Sequence, residues 1–333
     1  MCKGQAPSKA DVFHAAGYRP VAGTPEPLPL EPPTITLKDL RAAIPAHCFE
    51  RSAATSFYHL AKNLAICAGV FAVGLKLAAA DLPLAAKLVA WPIYWFVQGT
   101  YFTGIWVIAH ECGHQAFSAS EILNDTVGII LHSLLFVPYH SWKITHRRHH
   151  SNTGSCENDE VFTPTPRSVV EAKHDHSLLE ESPLYNLYGI VMMLLVGWMP
   201  GYLFFNATGP TKYAGLAKSH FNPYAAFFLP KERLSIWWSD LCFLAALYGF
   251  GYGVSVFGLL DVARHYIVPY LICNAYLVLI TYLQHTDTTP LLGKYYLIDP
   301  TPIPLALWRS FTHCKYVEDD GNVVFYKRKL EEK

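Results

Sequence analysis

"HRRHHSNTGSCEND", residues 146–159, sets three histidines and two arginines in its first five positions, shortly after a long apolar stretch. Histidine is a poor core residue and a weak charge. Imidazoles at i, i+3 and i+4 therefore call for a partner that binds imidazole, and the usual one is a metal ion. On a helix His146, His149 and His150 would share one face. Residues 110–150 hold seven of the sixteen histidines, at 110, 114, 132, 140, 146, 149 and 150. In "HECGH" His110 and His114 stand four apart, so on a helix their rings point the same way. His132 lies in the apolar run "GIILHSLLF" and His140 follows a Pro-Tyr turn, so both read as structural. His285 ends the apolar stretch "NAYLVLITYLQH".

The candidate ligands are thus His110, His114, His146, His149, His150 and His285. That is more than one zinc site uses, since zinc takes three or four protein ligands, and two metal ions fit the count better. Imidazole suits iron, zinc, copper and nickel, so ligand type alone does not name the metal.

The chain around them is 52% hydrophobic and 16% charged over 333 residues, a balance that points to a membrane protein. Its 26 basic and 26 acidic residues cancel, and no basic tract is interleaved with aromatics, so no nucleic-acid partner is expected. Eight cysteines are scattered without a CxxC pair and read as reduced, mostly buried thiols. Residues 1–35, rich in proline, read as a flexible tail with no apolar core of a signal peptide. "TLKDLRAAIPAHCFERS" follows as a short amphipathic segment, on a protein surface or at a membrane interface.

Four stretches are long enough to cross a bilayer, at about 20 apolar residues each: 58–80, 87–109, 237–258 and 264–285. A fifth, 184–206, is equally apolar. Lysine and arginine collect in the first 51 residues, at 143–148, at Lys212, Lys218, Lys231 and Arg233, and at Lys327, Arg328 and Lys329. The positive-inside tendency places all four regions in the cytosol if 184–206 enters without crossing. The expected fold is an all-α integral membrane protein. Its four transmembrane helices form two hairpins with a cytosolic histidine-box cap, both termini cytosolic, and His285 comes level with the two boxes.

Two functional classes meet these residues. "HECGH" also satisfies H-E-x-x-H, in which two histidines bind zinc and the glutamate is general base. A membrane zinc metalloprotease would use Glu111 in that way with Glu157 or Asp159 as third ligand, and would leave "HRRHH" without a role. The other class is oxidative. "AHECGHQAFS", "HSWKITHRRHHSNTGSCENDEVFTP", "LLVGWMPGYLFFNATGP", "LVLITYLQHTDT" and "LGKYYLIDPTPIPLALWRSFTHCKYVEDDGNVVFY" together resemble the membrane fatty-acid desaturases, most closely fungal oleate (delta-12) desaturases of the endoplasmic reticulum. The resemblance runs from about residue 35 to the end, making 36–333 one desaturase domain.

The resemblance implies a four-span protein with a cytosol-facing non-haem di-iron site. It implies O2 as co-substrate, an acyl-lipid or acyl-CoA substrate, and electrons from cytochrome b5 and its reductase. His110 and His114 match the first box, His146, His149 and His150 the second, and His285 the family's additional histidine. Glu111, Arg147 and Arg148 carry over no ligand role. Hydroxylases, epoxygenases and acetylenases of the same family are the alternative product classes.

One element of the family pattern is absent. The third box, H-x-x-H-H, belongs between the last span and the tail, yet "TYLQHTDT" runs directly into "TPLLGKYYLIDPTP". This marks an internal deletion near 287–290. His313, the one histidine after 285, matches no box. Losing a box removes up to three imidazoles, so this chain is expected to lack desaturase activity.

Overall fold

A computed structural model describes residues 36–172, 182–286 and 302–317. The 1–35 tail, the junction near 287–290 and the basic cluster at 327–329 lie outside the described residues. Two groups of residues pack as separate units.

The larger, residues 51–163 and 182–285, is a bundle of long helices. Ser52 caps α2, Ala53–Ala79, which follows α1, Leu37–Ala43, along the chain; the Ser52 hydroxyl accepts from Thr55 N at 3.2 Å. α3, Leu84–Gly113, packs on α2, on α4 (Glu121–Leu134) and on the last helix of the bundle. α4 is capped by Ser120 and followed by α5, Tyr139–Asn152, at a bend of 107°. α7, Pro183–Val196, precedes α8, Arg233–Phe257, and α9, Leu259–His285. Between α8 and α9 stands Gly258 at φ 81°, ψ 150°, a region open to glycine and closed to L side chains. That residue makes the second hairpin turn.

Four helices are long and apolar enough to cross a membrane: Ala53–Ala79, Pro183–Tyr202, Pro230–Phe257 and Leu259–His285. The number is the one expected, but the membership differs. α3 has the length, 30 residues or about 45 Å. It falls out of the apolar set because Gln98, Thr100, Tyr101 and Thr103 turn mid-helix polarity toward its partners, with Gln98 and Thr103 buried. Pro183–Tyr202 enters the set, yet its α-helical part is 14 residues, about 21 Å against a hydrocarbon core of about 30 Å. The backbone leaves helical geometry at Met199 (φ −122°, ψ 110°).

The smaller unit holds α1 (Leu37–Ala43), α6 (Arg167–Ala172) and α10 (Ile303–His313). Thr36 and Asp39 form a reciprocal capping box on α1. Arg167 N donates to Val317 O at 2.8 Å and Val317 N to Thr165 O at 2.9 Å, pairing the two segments.

Candidate metal centre

Both histidine boxes are helical, which pairs His110 with His114 and His146 with His150 as the spacing predicted, while His149 parts from the face it was expected to share. His110 lies in the last turn of α3 and His114 one residue beyond it. His146, His149 and His150 follow one another on α5. The ring nitrogens of His110, His114, His146 and His150 all fall within 4.8 Å of one another. Adjacent Nε2 atoms are 2.9 Å apart for His110–His114, 3.2 Å for His114–His146 and 3.1 Å for His146–His150. Four basic nitrogens this close repel unless a proton or a cation lies among them, which is the arrangement a metal site requires.

Burial, followed by neighbouring imidazoles, holds His146 far below the ordinary histidine value. The same causes lower His114 and His150. These rings are neutral at physiological pH, so they offer lone pairs without first losing protons. The floor of the cluster is aromatic. Trp142 stacks on His146 at 4.4 Å and 21°, and Trp106 lies 5.2 Å from the His110 ring. Gly113 permits this packing, because a Cβ there would stand 2.7 Å from Trp142 Cζ3.

His149 turns away from the four. Its Nε2 meets His285 Nε2 at 3.1 Å and its Nδ1 lies 2.7 Å from Asp159 Oδ1. A carboxylate can only accept, so Nδ1 carries the hydrogen and Nε2 presents the lone pair. Asp159 is fully buried and also accepts from Val161 N (2.9 Å), Phe162 N (3.1 Å) and Gly154 N (3.2 Å). His285, placed here by the last span, stacks on Phe162 at 5.3 Å. All six sequence candidates therefore gather at two neighbouring foci, four in one and two in the other.

His132 is fully buried against Trp106, Trp142 and Tyr139, outside the cluster, as a structural histidine. His140 is tied through its backbone N to Ser239 Oγ at 2.7 Å. His313 Nδ1 donates to Arg309 O within α10. The two carboxylates that the protease reading offered as third ligand are engaged elsewhere. Asp159 is committed to His149, Glu157 is exposed and accepts from Ser155, and "HRRHH" supplies half of the four-histidine group. Arg148 is structural as expected, with both Glu232 oxygens at 2.8 Å and a further bond to Phe227 O.

Sequence reasoning missed two supports. Trp142 stands four residues before His146 on α5, a spacing that could have placed it beside the box, whereas Asp125 carries no spacing signal and only the fold brings it there. Gln115, directly after His114, has φ 61°, a left-handed conformation that costs a residue with a side chain about 1–2 kcal/mol. Its amide is clamped by Asp125 Oδ1 at 3.1 Å and Asn124 Nδ2 at 2.9 Å.

The sequence profile described as "Fatty acid desaturase" matches residues 89–311, a segment that contains all six histidines. The Delta(12) fatty acid desaturase of Mortierella alpina is 39% identical to the chain, covering 89% of it and 91% of the relative. The endoplasmic-reticulum omega-6 fatty acid desaturase isozyme 1 of Glycine max is 38% identical, covering 91% of each. The Delta(12)-fatty-acid desaturase of Arabidopsis thaliana is 37% identical, covering 92% of the chain and 95% of the relative. The Mortierella alpina alignment runs over 369 positions, more than the 333 residues of this chain, so the relative carries residues that have no counterpart here. Helices long enough to span, two boxes converging on one face and this matched length have a common explanation: the chain belongs to the fatty acid desaturase family of membrane oxidoreductases.

Proposed function

We propose that the chain is a delta-12 acyl desaturase scaffold of the endoplasmic-reticulum membrane, both termini cytosolic, with residues 36–333 as one desaturase domain. Its substrate is an oleoyl chain on a lipid or on coenzyme A, and its electrons come from cytochrome b5 and its reductase. The names of the relatives support the regiochemistry and the compartment. The single observation that carries the chemistry is the convergence of four neutral Nε2 atoms beside the His149–His285 pair.

His110, His114, His146 and His150 would hold one iron, and His149 with His285 the second. Iron with O2 would supply the oxidising power that removing hydrogen from an unactivated methylene demands, which redox-silent zinc cannot. The chain's own residues do the rest. Burial keeps the His114, His146 and His150 imidazoles neutral, Asp159 fixes the His149 ring through Nδ1, and the Trp106–Trp142 floor lies under the cluster.

The deletion near 287–290 removes the third box, so we propose that the chain as it stands does not complete the reaction. The test is expression in a yeast lacking linoleate, beside a version with an H-x-x-H-H segment restored between Asp287 and Thr288, each checked for accumulation in membranes. Linoleate is expected only from the restored form. Linoleate from the unrestored chain would contradict inactivity. Hydroxy, epoxy or acetylenic products from the restored form would move the product class within the family.

A further inference from the structure

The two histidine boxes sit on different helices, and their relative position must be held to a fraction of an ångström for His114 and His146 to serve one ion. Among the described residues no carboxylate stands at hydrogen-bond distance from a ring nitrogen of the four, the nearest being Glu111 Oε1 at 3.9 Å from His110 Nε2, unlike His149. The registration has to come from somewhere else.

One carboxylate oxygen joins the two helices that carry the boxes. Asp125 Oδ1 accepts from Gln115 Nε2 at 3.1 Å, Tyr139 OH at 2.8 Å and Lys143 Nζ at 2.6 Å. Gln115 is the residue after His114. Tyr139 and Lys143 lie on α5 at i and i+4, and His146 and His150 continue that stripe at i+7 and i+11. Asn124, fully buried, reinforces the first arm: its Nδ2 donates to Gln115 Oε1 at 2.9 Å and its Oδ1 accepts from Ser118 N at 2.7 Å. Lys143 has a second, looser carboxylate in Glu121 at 4.0 Å, so Asp125 is its main partner. The left-handed backbone at Gln115 has a purpose in this arrangement, since it ends the box-one helix while its side chain stays in the clamp.

We propose that Asp125 is a positioning residue that sets the spacing between the two histidine boxes, and so the affinity of the four-histidine group for its ion. The proposal rests on the metal reading above. Asp125 acts through Gln115 on one side and the Tyr139–Lys143 stripe on the other, and touches neither substrate nor ion.

The test is titration of the purified full chain in detergent with Co(II), followed by visible absorption, alongside the thermal midpoint of each ion-free protein. Asp125→Ala is expected to lower affinity about 10–100-fold and to shift the ligand-field bands. Asp125→Asn, which keeps an acceptor but weakens the Lys143 bond, should fall between. Gln115→Gly is the decisive variant. Glycine tolerates the left-handed backbone, so stability should hold while the clamp is cut and affinity drops. Asp261→Ala, at an exposed pair with Arg264, is the control and should bind as the parent does. Unchanged affinity and bands in Gln115→Gly and Asp125→Asn would overturn the positioning role while leaving the metal reading intact. A parent chain that binds no Co(II) would overturn the metal reading and the positioning role with it.

Discussion

The two histidine foci are built in opposite ways. The four-histidine group takes ligands from two helices, with His114 and His150 exposed and His110 and His146 half-buried. It is rich in imidazole but poor in direct anchors, and the buried His110 Nδ1 has no hydrogen-bond partner among the described residues. The His149–His285 pair is poor in ligands and rich in anchors. His149 is buried, its Nδ1 is fixed by a carboxylate with four hydrogen bonds, and His285 is braced by Phe162. Four neutral imidazoles can satisfy a divalent ion by themselves, whereas two cannot, however well oriented. The first focus has four imidazoles and the second has two, so the second needs further ligands before it can hold an ion.

That contrast predicts unequal consequences for equivalent substitutions. His146→Ala removes the ring that bridges the two boxes, and should cost more than the about 10–100-fold in ion affinity that loss of an outer partner costs. His285→Ala should leave the four-histidine ion in place. Equilibrium dialysis of both variants against Fe(II) under anaerobic conditions checks this, and equal losses would erase the distinction between the foci.

Asp159→Asn comes next in size. It should weaken ion binding at the His149–His285 pair by about tenfold or more, chiefly once a third box is restored, while leaving the four-histidine group unchanged. The same dialysis, run on the restored chain, reads it. A loss at the four-histidine group instead would show that the two foci share their supports.

Gly113→Ala acts on the floor. The new methyl would meet Trp142 at 2.7 Å, and overpacking of that kind costs about 1–3 kcal/mol. A lower thermal midpoint is expected, together with a changed near-UV circular dichroism from the displaced indole. An unaltered midpoint would mean that Trp142 does not bear on the box.

Acid has the smallest effect. His114, His146 and His150 are held below 6.5 by burial and then by neighbouring imidazoles, His149 in the case of His150. With depressed folded values, the unfolded chain takes up protons first as the pH drops. The stability these neutral rings contribute is therefore complete above 6.5 and declines below it. The midpoint of ion-free protein should be flat from about pH 8 to 7 and fall toward about pH 5. A midpoint that rises on acidification would contradict neutral rings in the cluster.

Much of the molecule was legible in its sequence because the signals are local. Spacing of i, i+3 and i+4 fixes which side of a helix a ring occupies, so the boxes could be read as ligand faces before any fold was known. Apolar run length announced the bundle. What the sequence did not reveal depends on contacts between elements. The Pro200-Gly201 pair in "VGWMPGY" marks the break at Met199 locally, but the apolar run length of 184–206 masks it, and α3 reads as an ordinary span although it carries buried Gln98 and Thr103. The division of six histidines into four and two was equally hidden. His149 and His150 are neighbours in the chain, but the 100° step between them sends one ring to His285 and the other to His146.

The most direct test of the account is X-ray absorption at the iron edge of the purified, Fe(II)-loaded chain, compared with His146→Ala and with Glu157→Ala. The account predicts a first shell dominated by imidazole nitrogen, lost in His146→Ala and retained in Glu157→Ala. A shell of oxygen or sulfur, or a stoichiometric zinc that disappears with Glu157 and survives the loss of His146, would contradict it.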